Sequence, residues 1–290
     1  MDCGILSNHN VARMIPPALL PPPATISIAS WFARHSAAPL CALYHSSPNW
    51  LPRTASTPLR ISVIDSSFNP PTLAHLALAT AGTAKFDSYI FLLSVKNADK
   101  VAGPGETSPE MRLEMMRELA LEWEKREGKN VAVMCCREPT FVGKSTLLRT
   151  ELARIVDEDS DDTPRPVTLS FALGWDTLIR LFNPKYYAPP APPMSTALAS
   201  FFVGSSVVCA RRGDIDAAEE QDFLDRDGVK EWSSGIEMAT LSKEMGEVSS
   251  SLVRATVKEC KGDEALISTG LKGLVAAGVS RYIVREKLYR

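Results

Sequence analysis

Residues 61–80 read ISVIDSSFNPPTLAHLALAT, and this stretch decides the fold. Ile61, Val63 and Ile64 make a short β-branched run, Ser66 to Pro71 break it with turn formers, and Leu73, Leu76, Ala77 and Leu78 resume at helical spacing. The pattern is strand, loop, helix. A loop feeding a helix offers unpaired backbone N–H groups and the positive end of the helix dipole, which together predict an anion site. Thr72 and His75 lie three residues apart, on one face of the predicted helix. A phosphate is the natural guest.

Working outward, 88–95 (SYIFLLSV) reads as a second strand, buried on both faces because its apolar positions are nearly continuous. It ends at Lys96 and Lys100. Ser108-Pro109-Glu110 has the form of an N-cap followed by proline at the first helical position, and the spacing predicts a helix to about 127. A strand at 131–135, a helix at 145–156 and a solvated acidic loop at 157–162 (DEDSDD) follow. Next come a strand at 167–173 ending in Gly174-Trp175-Asp176, a short helix through Phe182, and a Pro/Ala-rich inserted loop at about 188–200. A strand at 201–210 leads to Arg211, Arg212 and a helix to about 226. A short strand at 235–241, a helix capped by Ser249 to Ser251 that runs through Cys260, and terminal helices at 264–277 and 279–288 complete the chain. Strands alternating with helices predict an α/β fold, a Rossmann-like open parallel sheet with helices on both faces. In such a sheet ligands lie beyond the carboxyl ends of the strands. The polar clusters follow predicted strands: Asn69, Thr72 and His75; Lys96 and Lys100; Trp175 and Asp176; Arg211.

The chain has 290 residues, 45% of them hydrophobic, enough to bury one sizeable core, and a formal net charge of −2, which gives no global attraction to nucleic acid or an anionic membrane. No apolar run reaches the length of a membrane span. Cys3, Cys41, Cys135, Cys136, Cys209 and Cys260 are scattered without C-x-x-C spacing, so neither zinc nor a disulfide framework follows. A reducing compartment, cytoplasmic or nuclear, is the simpler reading. Residues 1–59 differ from the rest: nine prolines and a single acid, Asp2, against Arg13, Arg34 and Arg53 predict a mostly disordered segment ahead of a domain at 60–290. Mitochondrial import is the alternative for this acid-poor, serine-rich stretch. Within it, 27–43 can form one short helix that packs Trp31 and Phe32 onto the main domain.

The string DSSFNPPTLAH resembles the phosphate loop of nucleotidylyltransferases, whose signature runs roughly G-x-F-x-P-x-[HT]-x-G-H; Phe68, Pro70, Thr72 and His75 fit it. It is most similar to the nicotinamide mononucleotide adenylyltransferases, in particular a divergent fungal branch with serines at the first glycine. Ser66 and Ser67 occupy that glycine position, and Ala74 replaces the glycine before the histidine. VSSSLVRATV resembles the ISSTxxR motif of the same superfamily through Ser249, Ser250, Ser251 and Arg254. GWDTLIRLFNPKYY resembles its G-x-D segment through Gly174 and Asp176, with Trp175 or Tyr187 as a ring to stack on a base.

The resemblance implies transfer of AMP from ATP to nicotinamide mononucleotide, giving NAD and pyrophosphate. Mg²⁺ is carried with ATP, and no residue is assigned to a metal cage. It implies catalytic roles for His75, protonated and facing the α-phosphate, Thr72 and Arg254. Substrate contacts are implied for Ser67, Phe68, Asn69, Lys96, Lys100, Gly174, Trp175, Asp176, Tyr187, Arg211, Ser249, Ser250 and Ser251. Two alternatives stand beside it: a sister transferase with another phosphorylated substrate, and a weakly catalytic ATP-binding protein acting through partners in protein quality control.

Overall fold

The β-branched run at 61–64 lies in the middle strand of the sheet. The computed structural model describes residues 15–23, 25–52, 58–95, 107–158, 166–189, 191–211 and 217–290. Seven strands form among them: β1 (Leu40–His45), β2 (Leu59–Ser66), β3 (Ser88–Ser94), β4 (Val131–Cys136), β5 (Val167–Gly174), β6 (Ser205–Arg211) and β7 (Ile236–Thr240). Their order in the sheet is β1-β4-β3-β2-β5-β6-β7. All pairings from β4 to β7 are parallel, and β1 adds antiparallel to the β4 edge. Ile64 of β2 sits between Phe91 of β3 and Ala172 of β5. Strand order reverses between β2 and β5. The crevice beyond their carboxyl ends is therefore the place for a ligand.

Eleven α-helices are described: α1 (Ile28–Arg34), α2 (Leu73–Ala79), α3 (Pro109–Glu127), α4 (Phe141–Glu158), α5 (Trp175–Leu181), α6 (Met194–Phe202), α7 (Ala217–Leu224), α8 (Lys243–Glu247), α9 (Ser250–Glu259), α10 (Glu264–Gly270) and α11 (Ala277–Arg285). Successive strand residues point to opposite faces, and the core divides accordingly. Ile64, Phe91 and Val133 pack with Trp31, Trp123, Val253 and Ile283 on one face; Val63, Ile90 and Met134 pack with Leu148, Leu178 and Phe201 on the other. The α3 start matches its sequence: Ser108 accepts the Met111 N–H at 3.3 Å, Pro109 opens the helix, and Gly128 at φ 63° ends it.

Four expectations change. Residues 28–45 are not loose: the short helix expected within 27–43 forms as α1 and buries Ile28, Trp31 and Phe32, the Trp31 indole donates to the Ala42 carbonyl at 3.2 Å, and β1, absent from the sequence reading, extends the sheet. Apolar burial outweighs the surrounding prolines here. The Pro/Ala segment holds α6, because Pro193 stands at its N-cap and Ala197, Leu198 and Phe201 recur at helical spacing to meet the core. Phe201 and Phe202 therefore belong to a helix, and the strand starts at Ser205. The long terminal helix splits at Gly270, with Gly273 at φ 78° in the turn that follows. Lys96, Lys100, Arg212 and the acidic positions 159–162 lie outside the described residues. No helix among those described is long and apolar enough to cross a membrane.

Candidate active site

The phosphate-type loop leaves β2 at Ser66 and enters α2 at Thr72. Phe68 sits at φ 45°, a left-handed conformation that is unfavourable for a bulky side chain. Burial offsets the cost: Phe68 is fully buried, its ring centroid 4.8 Å from that of His75 and 5.9 Å from that of Phe91. The Asn69–Pro70 peptide is cis. His75 closes the loop on itself. Its Nδ1 accepts the Thr72 backbone N–H at 3.0 Å and lies 2.8 Å from Thr72 Oγ1, while Nε2 lies 3.1 Å from Ser66 Oγ. A backbone N–H can only donate, so Nδ1 carries no proton in this arrangement and the ring is the Nε2–H tautomer. The protonated imidazole implied by the family resemblance requires that cap to open.

The C-terminal third of the chain braces the same loop. Ser250 Oγ donates to the Pro70 carbonyl at 2.7 Å, and Arg254 Nη1 donates to the Asn69 carbonyl at 2.6 Å. Asn69 Oδ1 accepts from Thr107 Oγ1 at 2.5 Å and from the Tyr289 hydroxyl at 2.8 Å. The Leu73 N–H at the start of α2 donates to the Leu274 carbonyl at 2.9 Å. Protein groups thus occupy N–H groups at Thr72 and Leu73 that the strand-loop-helix pattern offers to a phosphate. Ser249 caps α9 by accepting the Leu252 N–H at 3.1 Å, and Arg254 Nη2 donates to Ser251 Oγ at 3.1 Å. The two motifs, about 180 residues apart, form one hydrogen-bonded unit.

Beside this unit, beyond the ends of β2 and β3, lies a cavity of about 420 Å³. Ser66 and Ser67 form one edge; Ser94, Thr140 and Phe141 another; Thr177, Arg180, Tyr186 and Tyr187 a third. Asp65 and Lys144, an ion pair with side chains 6% and 5% exposed, also line it. Ser94 Oγ donates to Asp65 Oδ1 at 2.9 Å. Arg112 lines the cavity as well, its Nε donating to the Thr107 carbonyl at 2.9 Å. Burial pushes the Tyr187 phenol up to about 12, and its hydroxyl donates to the Leu181 carbonyl at 2.5 Å. With three cations to one carboxylate, the wall suits an anionic, partly aromatic guest.

The residues singled out from sequence divide into three groups. Ser67 and Tyr187 reach the cavity wall. Phe68, Asn69, Thr72, His75, Ser249, Ser250, Ser251 and Arg254 gather at the braced loop, behind that wall. Gly174, Trp175, Asp176 and Arg211 lie off the cavity wall: Gly174 is the N-cap of α5, Trp175 packs edge-on to Phe223 with centroids 5.2 Å apart, and Asp176 is exposed. Arg211 pairs with Glu220, Nε to Oε2 at 2.7 Å. Ala74 is fully buried and off the cavity wall, so its methyl group does not narrow the cavity. Sequence reading missed Asp65, Ser94, Arg112, Lys144, Thr177 and Arg180. Asp65, an acid inside a β-branched run, was the one visible signal.

The cytidylyltransferase-like family model matches residues 63–256. A protein of the fission yeast Schizosaccharomyces pombe, named "Putative nicotinamide mononucleotide adenylyltransferase", is 30% identical over 215 residues, covering 70% of this chain and 77% of that protein. Among solved structures, Plasmodium falciparum nicotinic acid mononucleotide adenylyltransferase complexed with NaAD is 15% identical, with a TM-score of 0.46, over 79% of this chain and 97% of that one. The same enzyme complexed with APC is 14% identical at the same TM-score, over 79% and 96%. The chain therefore belongs to the cytidylyltransferase-like family of nucleotidylyltransferases, as an enzyme of the adenylyltransferase type.

Proposed function

We propose that this protein transfers AMP from ATP to nicotinamide mononucleotide, forming NAD and pyrophosphate. The observation that carries the reading is the joining of the two nucleotide motifs, Ser250 to Pro70 and Arg254 to Asn69, beside a cationic cavity at the strand-order reversal. The fission-yeast relative's name supports the choice of substrate. The phosphate nucleophile is already ionised near neutral pH, so catalysis reduces to placing two anions in line and stabilising the charge that develops.

In this reading the mononucleotide occupies the cavity and ATP lies against the braced loop and α9. Arg254 spends two of its five N–H donors on Asn69 and Ser251, and turns others of its planar fork toward phosphate oxygens. His75 acts through Nε2–H once Ser66 Oγ yields its place, and Thr72 holds the imidazole in register. Among the described residues no cluster of three His, Cys, Asp or Glu side chains could cage a metal, and Asp65 is engaged by Lys144. Mg²⁺ carried with ATP would supply charge neutralisation at its phosphates.

The test is NAD formation by the purified chain from nicotinamide mononucleotide, ATP and Mg²⁺, with ATP binding measured in parallel. NAD as product supports the reading. Turnover with a different phosphorylated acceptor would select a sister transferase. The occupied N–H groups of α2 favour one second reading, a nucleotide-binding protein without turnover. ATP binding with no product from any acceptor would establish it.

A further inference from the structure

The buried ion pair in the cavity wall has no part in the phosphate chemistry above, and its position asks for one. Removing a carboxylate and an ammonium from water is expensive, and apolar side chains of similar volume commonly serve stability as well or better. Asp65 and Lys144 nevertheless meet in the wall of the cavity. Asp65 Oδ1 accepts from Ser94 and Oδ2 from Lys144, and a carboxylate has further lone pairs to offer. Lys144 has three N–H donors, and its Nζ lies 4.8 Å from the centroid of the Phe141 ring, which also faces the cavity. Beside an aromatic face, the pair thus presents an acceptor and a donor next to each other with no net charge.

We infer that Asp65 and Lys144 read the substituent on the pyridine ring of the mononucleotide and select a carboxamide over a carboxylate. This rests on the function proposed above. A carboxamide carries one acceptor oxygen and one NH₂ donor, so it complements the pair on both sides. A carboxylate offers acceptors only and brings its negative charge against Asp65, while the Lys144 charge is cancelled at contact range. The other charged groups facing the cavity are Arg112, half-buried on α3 and bonded to the Thr107 carbonyl, and Arg180, exposed on α5. These two supply the cationic side for the mononucleotide's phosphate.

The experiment compares nicotinamide and nicotinic acid mononucleotides on the full chain, by kcat/KM with ATP and Mg²⁺ and by calorimetric Kd without ATP. The unaltered protein favours the amide by about tenfold or more in both measurements. Asp65→Asn, which leaves the Lys144 ammonium without its carboxylate, moves the ratio toward the acid by about tenfold. Lys144→Met moves it further toward the amide. Equal use of the two mononucleotides by the unaltered chain, preference for the acid, or an unchanged ratio in folded Asp65→Asn overturns the inference. The unaltered chain decides the point even where a variant does not fold. Failure to bind or convert either mononucleotide overturns the proposed function and this inference together, whereas conversion of both alike overturns the inference alone.

Discussion

The phosphate loop and the cavity beside it are built on opposite plans. At the loop, polar groups are spent on the protein itself: His75 caps Thr72, Arg254 and Ser250 hold backbone carbonyls, and Tyr289 and Thr107 share Asn69 Oδ1. In the cavity, Ser67, Thr177 and Arg180 line open space, with the Asp65–Lys144 pair buried in its wall. The loop's order is set before any ligand arrives, which lowers the entropy lost on binding. The cavity instead keeps hydrogen-bonding capacity for a guest. The difference teaches where a substitution should cost stability, where it should cost rate, and where it should do little.

The sharpest break of this contrast lies in the cavity, at its buried ion pair. Lys144→Ala leaves the Asp65 carboxylate buried without its partner and should cost about 3–5 kcal/mol, read by urea unfolding. A loss below about 1 kcal/mol would show that water already reaches the pair.

At the loop, His75→Ala should lower kcat for NAD formation by roughly 10²- to 10³-fold, the usual loss for one preorganised transition-state donor. An unaltered kcat would assign His75 to the cap alone.

Arg254→Ala removes a charged hydrogen bond to the Asn69 carbonyl, a loss of about 1.5–3 kcal/mol. That loss should be read in unfolding, and the guanidinium donors removed from the ATP side should show separately as weaker ATP binding, with the mononucleotide Kd little changed. Equal weakening of both ligands would erase the distinction between loop and cavity.

Tyr289→Phe is the mildest change, one neutral hydrogen bond worth about 0.5–1.5 kcal/mol. Burial raises this phenol from its ordinary value near 10 to about 12. With the folded value above the unfolded one, its contribution to stability is fully present below about pH 10 and is lost as pH rises toward 12. Tyr187, also raised to about 12, shares that window. The variant should therefore lose less stability than the parent between pH 10 and 12. Parallel alkaline curves would detach Tyr289 from the loop.

Neighbouring residues were enough to write down most of the molecule's elements. The β-branched run at 61–64, the Ser108-Pro109 helix start and the serine cap before Arg254 use spacings of two, three or four residues, and hydrogen bonds within one turn enforce them. The α/β class was legible for that reason, and the two motifs that join at the loop were legible through their resemblance to the family. Where apolar burial competed with composition, local reading fell short: the short helix packing Trp31 and Phe32 was legible, but prolines concealed β1 and α6, whose stability comes from Leu40, Ala42, Leu198 and Phe201 meeting the rest of the core. The cavity was less legible still. Asp65 meets Lys144 across 79 positions and Asn69 meets Tyr289 across 220. Both meetings depend on packing between elements remote in the chain, which no window of sequence contains. Local chemistry fixed which segments could approach a phosphate; only the packed sheet and helices decided which side chains would stand together around a guest.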